Sequence, residues 1–254
     1  MEIVVAYFNN DSFENLLQKI NADKITIYDK TGSYASSLYK NIVKLENKGG
    51  KGGTYLTHII DNYENLSEYT LFMMDDMHNH VNSFDEFAKH TDTYSNTNID
   101  FYQYNTVWRT QVPIQIDHII NGYNANFDEV ELYKERKVKI SRFMYDKGII
   151  SPSDYQYLEY YRKNKPDKFA IRYTCKTFGI YLPESYYSPQ CASFLVTRLA
   201  VLRRPKDFYI NLRTWLLQNP SNCFILELIW VLIFTNKEQL EYQGRMFSEG
   251  DIHL

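Results

Sequence analysis

Apolar and polar positions divide the chain into a regular first third, a loosely patterned middle and a regular last quarter. The apolar run from Glu2 to Phe8 ends in Asn9-Asn10-Asp11 and predicts an opening strand. Asp11 and Glu14 have capping-box spacing, and Phe13, Leu16, Leu17 and Ile20 share one helical face. Ile25–Tyr28 reads as a second strand, closed by Asp29-Lys30 and the turn Thr31-Gly32; Ile42–Leu45 reads as a third, closed by Glu46-Asn47 and the glycines 49, 50, 52 and 53. A helix follows, with Leu56, Ile59, Ile60 and Tyr63 at i, i+3, i+4, i+7. Tyr69–Met74 is then an apolar run without alternation, as a strand covered on both faces requires. The order β-α-β-β-α-β predicts an α/β fold: a mostly parallel, Rossmann-like sheet flanked by helices.

From Asn82 to Lys168 the pattern loosens. Val112–Ile120 is a short apolar piece, Glu129–Lys139 a solvated charged segment, and Ser151-Pro152-Ser153-Asp154 a helix start leading into Tyr155–Arg162. This stretch is expected to be an irregular or helical insertion over one edge of the sheet. Regular patterning returns at Ser188–Val196, a turn into a strand. Pro205 opens a helix with Phe208, Leu212 and Trp215 on one face, and Asn222 is placed to cap a helix Cys223–Phe234 that is apolar nearly all round. Residues 236–254 form a polar tail. Nothing divides the chain cleanly, so one domain over 1–254 is expected.

A net charge of -3 provides no basic footprint and argues against nucleic acid as partner. Three scattered cysteines argue against a disulfide framework and suit a reducing compartment. The apolar start is too short for a signal peptide, and the longest apolar run, broken by Glu227, falls short of the roughly 20 residues of a membrane span. A soluble intracellular protein is expected.

Three predicted strands end in polar residues suited to a ligand: Asn9, Asp29, and Asp75 with Asp76. Ligands of open α/β sheets collect at the carboxyl ends of strands, which puts Asp75, Asp76 and His78 at the mouth of a site. Carboxylate and imidazole can together ligate Mg²⁺ or Mn²⁺. The glycine cluster with Lys51 suits close approach to a phosphate, but it matches neither the P-loop pattern nor the dinucleotide fingerprint, and a flexible linker is the plainer reading. Glu227, the lone charge of its helix, has two readings: an ion pair with Arg198, Arg203 or Arg204, or a general acid or base with a pKa raised by burial.

The series VVAYFNN, ITIYDK, ENKGGKGGTYLTHIIDNYENL, YTLFMMDD, SPQCASFLVTRLAVLRRP and LELIW resembles a family of small glycosyltransferase-like proteins of fungi, bacteria and large DNA viruses, similar to chlorovirus-type glycosyltransferases. The likeness covers residues 3–80 and 186–234. Where the family pattern has an Arg-Glu pair after the glycine turn, this chain has Lys51 and Gly52. The resemblance implies a GT-A fold with a nucleotide-sugar-binding half (1–80), an insertion (81–170) and an acceptor-side half (171–254). It implies a donor site of Tyr7, Phe8, Asn9, Asp29 and Lys30 around base and ribose, Lys51 at the phosphates and Asp75 at the ribose or sugar. Asp76-Met77-His78 would be the Asp-x-His form of the family's acidic motif, holding the diphosphate through Mn²⁺ or Mg²⁺, with His80 or His253 open as a third ligand. Glu227 is implied as the base, ahead of Asp117 and Asp207. The implied activity is metal-dependent, inverting transfer of a sugar, a UDP-sugar favoured, to a glycan or glycoprotein, in the cytoplasm, including that of a virus-infected host cell. Two other classes stay open: a catalytically silent nucleotide-sugar or glycan-binding module, and a metal-dependent hydrolase or nucleotidyltransferase.

Overall fold

The computed structural model of the chain describes residues 1–10, 13–35, 38–77, 81, 83–97, 99–104, 174–183, 192–218 and 222–238. Its strands are β1 (Glu2–Tyr7), β2 (Lys24–Asp29), β3 (Ile42–Lys44), β4 (Tyr69–Met74), β5 (Phe101–Gln103) and β6 (Phe194–Thr197). They form one sheet in the order β3-β2-β1-β4-β6-β5. β3, β2, β1 and β4 are parallel neighbours, while β6 runs antiparallel to both β4 and β5. β1 is central and pairs along its length with β2 and β4, so all six of its residues are buried. That is why its sequence shows no alternation.

The helices are α1 (Phe13–Leu17), α2 (Gly50–Asp61), α3 (Phe84–Ser95), α4 (Arg198–Leu202), α5 (Lys206–Gln218) and α6 (Asn222–Phe234). α2 packs on β1, α5 and α6. The centre of this layer is aromatic: the buried Tyr55 ring lies 5.0 Å from Phe72, 5.7 Å from Phe194 and 6.4 Å from Trp230. On α5 the buried set is Phe208, Tyr209, Leu212 and Leu216, and Trp215 is half-buried against Phe178.

α2 begins earlier than its apolar stripe, so the glycine cluster is the helix's own first turn. Gly49 and Gly50 enter it with φ of 69° and 56°, a conformation other residues seldom adopt. A Cβ on Gly53 would stand 2.5 Å from the Lys48 carbonyl oxygen, and one on Gly52 would stand 2.8 Å from Leu226 on α6. Close packing of the helix start requires these two glycines, which replaces the linker reading. α3 lies where the pattern seemed to loosen. The Ser83 hydroxyl accepts the Glu86 N–H at 3.3 Å, and Phe87, Ala88 and Thr91 are buried. Asn222 is itself the first residue of α6, and its side-chain amide donates to the Trp215 carbonyl at 2.8 Å and ties α6 to α5.

The amino ends of the strands are bolted by a buried polar group. Glu2 Oε1 accepts from the Thr26 hydroxyl at 2.9 Å, pairs with Lys24 Nζ at 2.9 Å and lies 3.6 Å from His58 Nε2 on α2; Oε2 accepts from Ser67 at 3.2 Å. Tyr28 Oη is 3.2 Å from His58 Nδ1. Burial acts to raise the Glu2 pKa, but His58, Lys24 and Thr26 together outweigh it and hold the carboxyl at about 2. Val112–Ile120, Glu129–Lys139, Tyr155–Arg162, Asp117, His253 and the capping residue Asp11 lie outside the described residues. No helix among those described is long and apolar enough to cross a membrane.

Candidate functional site

The strand order fixes where a site belongs. From β1 the chain proceeds outward to β2 and β3, then returns to place β4 on the other side of β1. The carboxyl ends of β1 and β4 are thus the point where the order reverses, the usual ligand position in an open α/β sheet. Two segments meet there: Phe8-Asn9-Asn10 after β1, and Asp75-Asp76-Met77 after β4.

Asp75 joins them. It is buried, and its Oδ2 accepts the Phe8 N–H at 2.7 Å and the Asn10 N–H at 2.9 Å. Turning both N–H groups toward one oxygen leaves Asn9 between them exposed, with φ of 103°. Such an outlier persists only where the surroundings enforce it. Burial raises the Asp75 pKa; the two N–H groups offset part of this and the neighbouring Asp76 charge adds to it. Asp76 is half-buried between two buried neighbours, Asp75 and Met77, and the Met77 sulfur receives the Ser193 hydroxyl at 3.0 Å. The turn therefore presents Asp76 on a rigid base. His78 and His80 follow it but lie outside the described residues. Among the described residues no three His, Cys, Asp or Glu side chains gather to hold a metal. In donor chemistry the half-buried Asp76, at the end of β4 beside the clamped Asp75, supplies the kind of carboxylate oxygen that a hard cation such as Mg²⁺ or Mn²⁺ takes.

The loop after β2 is organised by Asp29. Its Oδ1 accepts from Thr31 N, Thr31 Oγ1 and Gly32 N at 2.8–2.9 Å, and Oδ2 accepts Tyr34 N at 3.1 Å. Burial works upward on its pKa, but these donors win and the net shift is downward. Asp29 thus shapes its own loop, as the Asp-x-Thr-Gly spacing of an Asx turn allows. Lys30 is buried too: its Nζ donates to the carbonyls of Gly50 at 3.1 Å and Lys48 at 3.3 Å and sits 5.6 Å from the Phe8 ring centre. Burial lowers its pKa to about 8. Lys51, on the first turn of α2, points the other way and places Nζ 3.7 Å from the Met74 sulfur at the end of β4. The buried Tyr7 ring packs on Phe13 at 5.9 Å and Tyr34 at 4.6 Å beneath the loops.

The structure thus gathers Phe8, Asn9, Lys30, Lys51, Asp75 and Asp76 around adjoining strand ends, with Asp29 supporting the next loop. Glu227 stands apart from this group. It lies in the second turn of α6, half-buried, with no hydrogen bond or ion pair among the described residues. α6 nonetheless starts at the same corner, since a Cβ on Gly50 would lie 3.9 Å from the Cys223 Cβ. The three arginines considered as its partners are engaged elsewhere: Arg198 with the Glu64 carbonyl, Arg203 with Asp100 and the Phe234 carbonyl, Arg204 with the Gly179 carbonyl. The ion-pair reading of Glu227 is therefore not what the fold displays. Asp207 is exposed on the first turn of α5. Asn10 was missed as a site residue, because a backbone donor leaves no side-chain signature.

No curated protein and no solved structure matches the chain. A family model described as a protein of unknown function (DUF3431) matches residues 3–244, nearly the whole length, and the chain belongs to that family.

Proposed function

We propose that the chain is a metal-dependent glycosyltransferase with a GT-A arrangement, taking a nucleotide-sugar donor, a UDP-sugar favoured, and a glycan acceptor. The observation that carries this reading is the pair of adjacent carboxylates, Asp75 and Asp76, ending β4 at the sheet's reversal point, with Asp75 clamped to the loop after β1. The parallel run β3-β2-β1-β4 and two lysines beside the strand ends are in keeping with it.

In this reading Phe8 and Asn9 meet the nucleoside, Lys51 meets the phosphates, and Asp76 with His78 holds Mn²⁺ or Mg²⁺. The bound ion supplies Lewis-acid neutralisation of the diphosphate's charge as it departs. Asp75 keeps the β1 loop in register with Asp76. Glu227, half-buried and without an ion pair among the described residues, lies on the acceptor side in this reading and takes the proton of the acceptor hydroxyl. That oxygen bonds to the anomeric carbon, the bond from this carbon to the diphosphate oxygen breaks, and the nucleoside diphosphate leaves with the electron pair.

A second reading, a silent nucleotide-sugar-binding module, draws on Gly52. The family's Arg-Glu pair is replaced at Lys51-Gly52, and the packing against Leu226 leaves Gly52 no room for a longer side chain. Incubation with Mn²⁺, a panel of UDP-, GDP- and dTDP-sugars and an oligosaccharide mixture decides between them. Release of nucleoside diphosphate from one donor class, lost in Asp76→Ala, is expected. Manganese-dependent binding without release would select the module, and release of free sugar without an acceptor would select a hydrolase.

A further inference from the structure

Lys30 carries a charge that no described residue balances. It is 8% exposed, and among the described residues its Nζ donates to the neutral carbonyls of Lys48 and Gly50 and lies over the Phe8 ring. No carboxylate among the described residues lies within ion-pair distance of it. Keeping an ammonium out of water without a counter-charge is costly, and such groups are normally paired.

Its position suggests what would pair with it. β2 and β4 flank β1 on either side, so Lys30 at the end of β2 and Lys51, whose Nζ reaches Met74 at the end of β4, bracket the end of β1. The Phe8 ring that lies against Lys30 belongs to the residue whose N–H is held by Asp75. A phosphate oxygen is a far stronger acceptor for an ammonium than a carbonyl.

We infer that Lys30 is a phosphate-binding residue, whose ammonium exchanges the Lys48 and Gly50 carbonyls for the oxygens of a diphosphate lying across the end of β1. The ligand class is a diphosphate ester, and part of its charge is met by protein cations, with Lys51 on the far side. The inference rests on the nucleotide-sugar reading for its biological ligand, but its test needs neither nucleotide nor sugar.

Inorganic pyrophosphate is titrated calorimetrically into the full chain in EDTA, for the wild type and for Lys30→Met, which keeps the aliphatic stem over Phe8. Binding at millimolar concentration or tighter, weakened at least tenfold in the variant, is expected. In parallel, wild-type protein is acylated at pH 8, near the lowered Lys30 pKa of about 8, and labelling is read by peptide mass spectrometry. Pyrophosphate is expected to protect Lys30 while the exposed Lys44 labels equally with and without it. No pyrophosphate binding, equal binding by Lys30→Met, or unprotected Lys30 would each overturn the inference. The two claims separate cleanly. Manganese-dependent nucleotide-sugar binding unchanged in Lys30→Met removes only the role of Lys30, whereas pyrophosphate binding without response to any nucleotide-sugar removes only the glycosyltransferase reading.

Discussion

Replacing Asp75 by Ala should loosen the loop after β1 from the end of β4 by an amount the structure allows one to work out. The substitution removes the oxygen that accepts the Phe8 and Asn10 N–H groups at 2.7 and 2.9 Å. Hydrogen bonds to a charged partner contribute about 1.5–3 kcal/mol each. Two of them give about 3–6 kcal/mol, from which two offsets are subtracted. Removing a buried carboxylate relieves a desolvation cost, visible in its raised pKa. Freeing Asn9 from φ of 103° relieves backbone strain of about 1–3 kcal/mol. From the middle of these ranges a net loss of about 2 kcal/mol remains, a large part of a typical domain's stability. Asp75→Asn keeps an amide oxygen able to accept both N–H groups and should lose only about 1 kcal/mol. Urea unfolding followed by tryptophan fluorescence measures both, and hydrogen exchange at Phe8 and Asn10 should speed up in the Ala variant alone. A stability of Asp75→Ala within about 0.5 kcal/mol of wild type, the scatter of ordinary surface changes, would refute the clamp. Equal loss in both variants would refute it too.

Three further outcomes test other parts of the structure. Glu2→Gln removes a carboxyl held at about 2 against an ordinary 4.5; a lowered pKa stabilises above the unfolded value and is lost as pH falls toward the folded one. The variant should be weaker by about 3 kcal/mol at pH 6 and by only about half that at pH 3, read from urea midpoints at the two pH values. Gly53→Ala would force a Cβ to 2.5 Å from the Lys48 carbonyl oxygen, so the start of α2 must shift at a cost of about 2–3 kcal/mol; Gly32→Ala, with φ of 73° and nothing within 4 Å, should cost about 1 kcal/mol in thermal melts. Glu227→Gln should leave donor affinity intact and lower the transfer rate by about 10²-fold or more, and an unchanged rate would return Glu227 to a packing role.

Much of this architecture was legible from local pattern alone. β1, β2 and β4, the two carboxylates closing β4, and helices α2, α5 and α6 each announce themselves through runs or helical spacing. What the sequence concealed depends on contacts between distant residues. β6 runs antiparallel beside β4, and nothing local in Phe194–Thr197 encodes that direction. The glycines after Glu46 look like a loop because their need arises from Leu226, some 170 residues away in sequence, and from the Lys48 carbonyl. Asp29 and Asp75 both read as ligand contacts, yet each accepts backbone N–H groups, and backbone donors have no letter in the sequence. α3 is a different case. Ser83 and Glu86 form a capping signature, and Phe84, Phe87, Ala88 and Thr91 keep helical spacing, so the signal existed and was masked by the polar residues around it.

The central claim is that the ends of β1 and β4 form a metal-dependent nucleotide-sugar site, and binding tests it most directly. Thermal melting of the chain is followed with UDP, GDP and their sugars, and with dTDP-sugars, each with and without Mn²⁺, for wild type and Asp76→Ala. A ligand bound only by the folded state stabilises it by RT ln(1 + [L]/Kd), so even a site of 0.1 mM affinity at 10 mM ligand would contribute about 2.7 kcal/mol. Stabilisation by one nucleotide class, dependent on Mn²⁺ and abolished by Asp76→Ala, is the predicted result. Unchanged melting with every nucleotide in both metal states would contradict it.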